Sequence, residues 1–219
     1  MNYFRRFLVV FFLLSSFIYA GCGAKYVSST LSPNWDAVKI TKVAQIPFAF
    51  VPDGGEDGVR SARVDPHGVA LISSMFLHGL EDAGYAVIPF DGETLERLSP
   101  QGTLPIDVVK SMGEKTGAEA VLTGVVTRYE EREGGPLGVK KPASIGFEVN
   151  LINTIDGTLL WSGRYAETQK SLAEDLGMIF TFFKRKGKWL TAEELARYGV
   201  EDVLKTLPKS PLIHPTPVY

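Results

Sequence analysis

The order of apolar patterns along this chain predicts an α/β domain: three parallel strands with two crossover helices, an antiparallel two-strand meander, and a C-terminal helical segment. Three observations carry that expectation. Between residues 38 and 129, short β-branched runs alternate with stretches of helical period. Strands joined through a helix pair in parallel by right-handed crossovers. After residue 143 two runs of strand type flank the step Asp156-Gly157, a strong hairpin signal because glycine supplies the positive φ.

The first strand is expected over Val38 to Val51, VKITKVAQIPFAFV, with Pro47 marking a bulge or an edge because it has no N–H for a ladder. Asp53 to His67 is a glycine-rich, mixed-charge loop with Arg60, Arg63, Asp65 and His67. It has neither a Gly-Lys-Ser/Thr ending nor a G-x-G-x-x-G, so it reads as a solvated loop rather than an anion site. Val69, Ile72, Met75, Phe76 and Leu80 then recur at helical spacing, with Gly84 as the stop. Tyr85 to Phe90 is the second strand. Ile106 to Lys115 is a helix with Val108, Val109 and Met112 inward and Gly117 closing it. Ala118 to Tyr129 is the third strand, expected at the centre of the sheet, with Val121 and Val125 on one face and Leu122 and Val126 on the other.

Glu130 to Pro142 is a charged, glycine-bearing loop. In Ser144 to Asn153 the residues Ile145, Phe147, Val149 and Leu151 alternate with smaller or polar ones, which means one buried face. Thr158 to Thr168 returns as the fifth strand, with Trp161 a core or sheet-face residue.

Leu172 to Leu207 reads as helical. Leu172, Leu176, Ile179, Phe180 and Phe183 form one stripe, leaving Met178 and Phe182 outside it. Those two, with Lys184, Arg185, Lys186, Lys188 and Trp189, are the candidate contact surface for a membrane or an envelope partner. A helix docked on the sheet with a solvated basic turn is the competing reading. Thr191 and Glu194 form a capping box opening a last helix, in which Leu195, Tyr198, Val203 and Leu204 can pack. Pro208, Pro211, Pro215 and Pro217 make the tail extended or disordered.

The start of the chain bears on function most directly. Arg5 and Arg6 precede the apolar run Phe7 to Ile18, too short for a stable membrane span and followed by small residues, as in a secretory signal peptide. Its end, Tyr19-Ala20-Gly21-Cys22, resembles the bacterial lipobox, with Tyr19 where Leu is usual. That resemblance implies cleavage after Gly21 and a diacylglycerol on Cys22, the chain's one cysteine. A buried thiol or an incidental cysteine is the plainer alternative. Each buried methylene contributes about 0.8 kcal/mol, so two or three acyl chains make a lasting anchor. The expected organisation is a signal peptide over 1–21, a lipidated N-terminus and short tether over 22–36, an α/β domain over 37–169, C-terminal helices over 170–207 and a proline-rich tail over 208–219. Gly23 stands where aspartate marks inner-membrane retention in the best-known sorting rule, which implies the outer membrane, facing the periplasm.

The formal charge of the chain is −2, and loss of Arg5 and Arg6 makes the mature form more acidic. Such a surface lacks the basic excess that holds a phosphate backbone, so nucleic acid is not expected as a partner. His67, His78 and His214 are too scattered for a metal site. No cofactor is expected, and no G-x-S-x-G, H-E-x-x-H or nucleophilic cysteine is present.

The segments KVAQIPFAF, LEDAGYAVIPF, TGAEAVLTGVVTRYEER and VNLINTIDGTLLWSGRY resemble, in succession, bacterial envelope lipoproteins of the CsgG/LpoB-like group, also TolB N-terminal-domain-like in fold, especially its short uncharacterised members. The likeness spans Lys42 to Glu167. It implies a small α/β sandwich and carries over no catalytic residue. Two features depart from the better-known members: the tether is short, and the chain offers no spare alternating hairpins for a shared barrel. The resulting expectation is a noncatalytic lipoprotein that binds or helps assemble an envelope protein complex, itself able to form a homo-oligomer. The alternative is an envelope hydrolase acting on cell-wall or lipid material through Asp65, His67 or Glu148.

Overall fold

The computed structural model describes residues 25–51, 66–90, 96–136, 138–169 and 188–211. In chain order the strands are β1 (Tyr26–Leu31), β2 (Lys42–Gln45), β3 (Ala49–Phe50), β4 (Ala86–Pro89), β5 (Ala120–Glu130), β6 (Glu133–Gly135), β7 (Gly138–Lys141), β8 (Ser144–Asn153) and β9 (Leu159–Thr168). The helices among the described residues are α1 (Pro66–Asp82), α2 (Ile106–Thr116) and α3 (Ala192–Leu204), with a 3-10 turn at Trp35–Ala37.

Seven strands form one mixed sheet in the order β1-β9-β8-β5-β2-β4, with β3 beside β5 further along. β2 runs parallel to β4 and β5, and β3 parallel to β5. The longer ladders, β5 with β8, β8 with β9 and β1 with β9, are antiparallel. A mixed α/β domain is therefore what forms, but not the expected balance of a three-strand parallel half and a two-strand meander. The sheet is larger and mostly antiparallel, because the stretch read as a tether supplies β1. No alternation announces that strand: five of its six residues are exposed, as an edge strand with little burial on either face must be.

Two further departures have local causes. The single strand expected over Val38 to Val51 breaks into β2 and β3 around Pro47, which has no N–H to offer β5. The chain rejoins the ladder on both sides of the break, through Ile46 N to Leu122 O at 3.3 Å and Val51 N to Val126 O at 2.9 Å. The charged loop after β5 contains a small hairpin, β6 with β7, where Gly134 takes a φ of 118° and a β-carbon would stand 2.6 Å from the Gly138 carbonyl oxygen.

β5 lies in the middle of the sheet and is buried on both faces. Leu122 and Val126 join the larger core beneath α1 and α3, and Val121 joins the smaller one beneath α2 with Val109 and Met112. Through the larger core runs a chain of rings: Phe48 to Phe76 at 5.4 Å between centroids, Phe76 edge-on to Phe147 at 5.5 Å, and Phe147 stacked on Tyr165 at 5.5 Å. α3 begins with the Thr191–Glu194 capping box read from the sequence. It approaches β9 closely because Gly199 faces the Tyr165 ring and Gly163 lies under Val203. Tyr198, expected to pack, is 37% exposed. Trp161 is fully buried, its Nε1 donating to Thr206 Oγ1 at 3.1 Å.

Candidate functional site

The break at Pro47 has a structural consequence. With β2 and β3 separated, the chain between them leaves room against α1, and a groove of about 630 Å³ opens there. Phe48, Phe50, Val69 and Leu77 give it apolar walls. At its base Gln45, 4% exposed, donates from Nε2 to the Ser73 carbonyl at 2.7 Å and to Ser73 Oγ at 3.2 Å. Its Oε1 has no hydrogen-bond partner among the described residues. A polar residue inside the apolar run VAQI was the one sequence signal for this amide, and it did not indicate burial.

Most of the groove's lining is apolar, with Gln45, Ser73, Ser74 and His78 as its polar side chains. His78 at its rim meets Glu81 at 3.1 Å, both well exposed. Among the described residues no cluster of three or more His, Cys, Asp or Glu side chains is placed to hold a metal ion. Of the residues considered for hydrolysis, Asp65 lies outside the described residues. His67 opens α1, whose buried side packs on one face of the sheet. Glu148 is on the other face, where it pairs with Arg164 at 2.9 Å. The sheet lies between the two.

The candidate contact surface divides in the same way. Met178, Phe182, Lys184, Arg185 and Lys186 lie outside the described residues. Lys188 bonds through Nζ to Glu194, and that ammonium, foremost among the causes, holds the Glu194 carboxyl below its ordinary range. Trp189 is 8% exposed, so its ring sits inside the domain, and its backbone N–H donates to Pro136 O at 2.9 Å. The next residues are held as firmly: Leu190 N donates to Gln169 Oε1 at 3.0 Å and Ala192 N to Glu131 Oε2 at 3.0 Å.

Cys22 and the signal-like run also lie outside the described residues. Tyr26 is 51% exposed, Val27 36% and Leu31 43%, on a strand whose outer edge faces away from the sheet. Lys25, just before it, pairs with Asp202 of α3 and sits 6.0 Å from the Tyr165 ring centroid.

Among the described residues these features define a mixed α/β domain with two helices on one sheet face, one on the other, and a groove between α1 and the broken β2–β3 segment. No protein-family model and no curated protein matches the chain. Solved structures do. PelC from Paraburkholderia phytofirmans, a dodecamer, is similar at 16% identity and a TM-score of 0.52, covering 83% of this chain and 95% of PelC. A single-substitution variant of that dodecamer aligns at 17% identity and a TM-score of 0.54, covering 85% and 99%. Lipoprotein GNA1162 from Neisseria meningitidis aligns at 19% identity and a TM-score of 0.39, covering 67% and 96%. The likeness to PelC is one of fold.

Proposed function

We propose that this protein is a noncatalytic lipoprotein of the bacterial cell envelope, anchored in the outer membrane through Cys22, that binds or helps assemble an envelope protein complex. The observation that carries this reading is the N-terminal sequence: two arginines, a short apolar run and Ala20-Gly21 before the chain's one cysteine. The fold it shares with PelC, itself a dodecamer, supports self-association as part of that role. The groove, with apolar walls and a few polar groups, is of the kind that binds a ligand or a partner segment. The CsgG/LpoB-like resemblance points the same way.

The early start of the sheet sharpens the reading. Only Gly23, Ala24 and Lys25 separate Cys22 from β1. At about 3.5 Å per residue, that spacer lets the sheet edge stand no more than about 14 Å from the lipidated cysteine. An anchored domain is then held against its own membrane and meets partners there.

The test is fractionation and fatty-acid labelling of the wild type beside Cys22→Ala. The wild type should take up label and sediment with outer membranes, while the variant takes up none and becomes soluble or stays as precursor. Equal labelling of both sinks the anchor. Crosslinking in intact cells followed by mass spectrometry then tests assembly; recovery of the lipoprotein free of any partner contradicts it.

A further inference from the structure

The outer edge of β1 carries an inference about what the domain binds. Two backbone bonds fix which way that edge faces. Gln169 N donates to Ala143 O at 3.1 Å, next to the Thr168–Ser144 pair. By the alternation of an antiparallel ladder, the odd-numbered residues of β9 bond toward β8 and the even-numbered ones toward β1. Across the register from Tyr26–Ala166 to Leu31–Trp161, it is therefore Tyr26, Ser28 and Thr30 whose backbone groups meet β9. Ser32 N to Leu160 O, at 2.8 Å, continues that alternation. Val27, Ser29 and Leu31 consequently direct N–H and C=O away from the sheet, toward no other strand among the described residues.

Exposed edges of this kind template pairing unless proline, a charge, a bulge or shortness blunts them. The opposite edge, β4, is short and ends in Pro89. β1 reads Tyr-Val-Ser-Ser-Thr-Leu, with none of these defences, and Lys25 beside it is turned to Asp202.

We propose that β1 pairs with β1 of a second copy, antiparallel, about a two-fold axis midway between the two Ser29 residues. In that register Val27 lies opposite Leu31 of the second copy and Ser29 opposite its own equivalent. Each of these outward-facing residues exchanges both backbone bonds with the residue it meets. Directly opposed residues share a sheet face, so Val27 and Leu31, which stand opposite Tyr165 and Trp161, lie on the face that α3 covers. There they cover each other's exposed apolar surface. On the other face Ser28 meets Thr30, a hydroxyl pair that cross-strand positions favour. A shift of two residues sets Val27 or Leu31 against a serine and leaves end bonds unmade.

One short edge falls below the roughly 1,000 Å² that a stable interface buries. Confinement on a membrane raises the effective concentration of copies, so pairing is favoured in the anchored protein. The proposal deepens the assembly reading by naming a second copy as one partner; its geometry does not depend on the lipid.

The test uses the full chain in its own membranes, with Ser28→Cys, Ser29→Cys and Thr30→Cys made singly and oxidised beside the parent. Opposed residues in a hydrogen-bonded pair have α-carbons about 5.5 Å apart, within disulfide range. Ser29→Cys should give at least tenfold more disulfide dimer than the other two. No dimer from Ser29→Cys, or equal dimer from all three, overturns the proposal. Co-produced copies bearing Val27→Cys and Leu31→Cys should also join, and Ser29→Pro in both should abolish that link. That proline deletes an outward N–H while sparing the bonds to β9, so the melting temperature should hold.

A labelled, membrane-bound protein without the Ser29→Cys dimer retains the anchor and loses the edge pairing. If Cys22 takes no label, the same cysteine series built on Cys22→Ala, in the concentrated, purified chain, decides the edge alone.

Discussion

At the scale of single residues, Tyr85 ties the first turn after α1 to the end of the chain. Only 3% exposed, it donates from its hydroxyl to the Pro208 carbonyl at 2.6 Å. Burial pushes its phenol from 10.0 up to about 12. The folded state therefore holds the neutral form to higher pH than the unfolded chain does, so this stability is complete below pH 10.0 and is lost as pH rises toward about 12. Tyr85→Phe should cost about 0.5–1.5 kcal/mol at neutral pH for the lost hydrogen bond. It should also flatten the alkaline fall in stability. Denaturant unfolding of both proteins at pH 8 and pH 11 measures the two effects, and an unchanged alkaline fall would show that Tyr85 is not its source.

At the scale of elements, the close approach of α3 to β9 depends on what glycine lacks. A β-carbon on Gly199 would stand 2.7 Å from ring atoms of Tyr165, itself fully buried and stacked on Phe147. Such a ring has no free space to move into, so Gly199→Ala should destabilise by about 1–3 kcal/mol. A melting temperature equal to wild type would mean the helix stands further out. The central strand makes the complementary case by loss of volume. Leu122 is fully buried in the core under α1 and α3, and Leu122→Ala should cost about 2–5 kcal/mol in a denaturant titration. Val121, buried equally, reports on the α2 side instead. A loss below about 1 kcal/mol for Leu122→Ala would remove β5 from the centre of the fold.

At the scale of the whole molecule, the sheet runs from an edge next to the candidate anchor to an edge beside the groove. β1 begins four positions after Cys22, while β2, β3 and α1 form the groove at the other side of β5. An anchored domain would place one end at the lipid and leave the groove several strands away. If that arrangement serves assembly, Cys22→Ala should remove the protein from membranes without altering its fold. The released domain should melt with the same midpoint as the detergent-solubilised wild type, and a lower midpoint would show that the lipid attachment also supports folding.

The strands and helices with a buried face were legible because burial imposes a period. Ile145, Phe147, Val149 and Leu151 alternate, Val108, Val109 and Met112 recur, Asp156-Gly157 turns, and Thr191 with Glu194 caps. Those local rules need no knowledge of the neighbour. What lacks a period escaped them. β1 is exposed on nearly every residue, so nothing in Tyr26 to Leu31 distinguishes strand from tether until β9 offers its bonds. Trp189, expected outside, is buried, because Pro136, Gln169 and Glu131 hold its segment against the domain from positions far away in sequence. In the sequence Gln45 is one polar residue in a strand, and the packing of α1 makes its amide a buried group whose Oε1 has no partner among the described residues. By itself the sequence determined the mixed α/β pattern, the central β5 and the signal-like start. The tertiary structure alone decided the strand order, the edge and the groove, because hydrogen-bond partners and burial depend on residues that local order does not bring together.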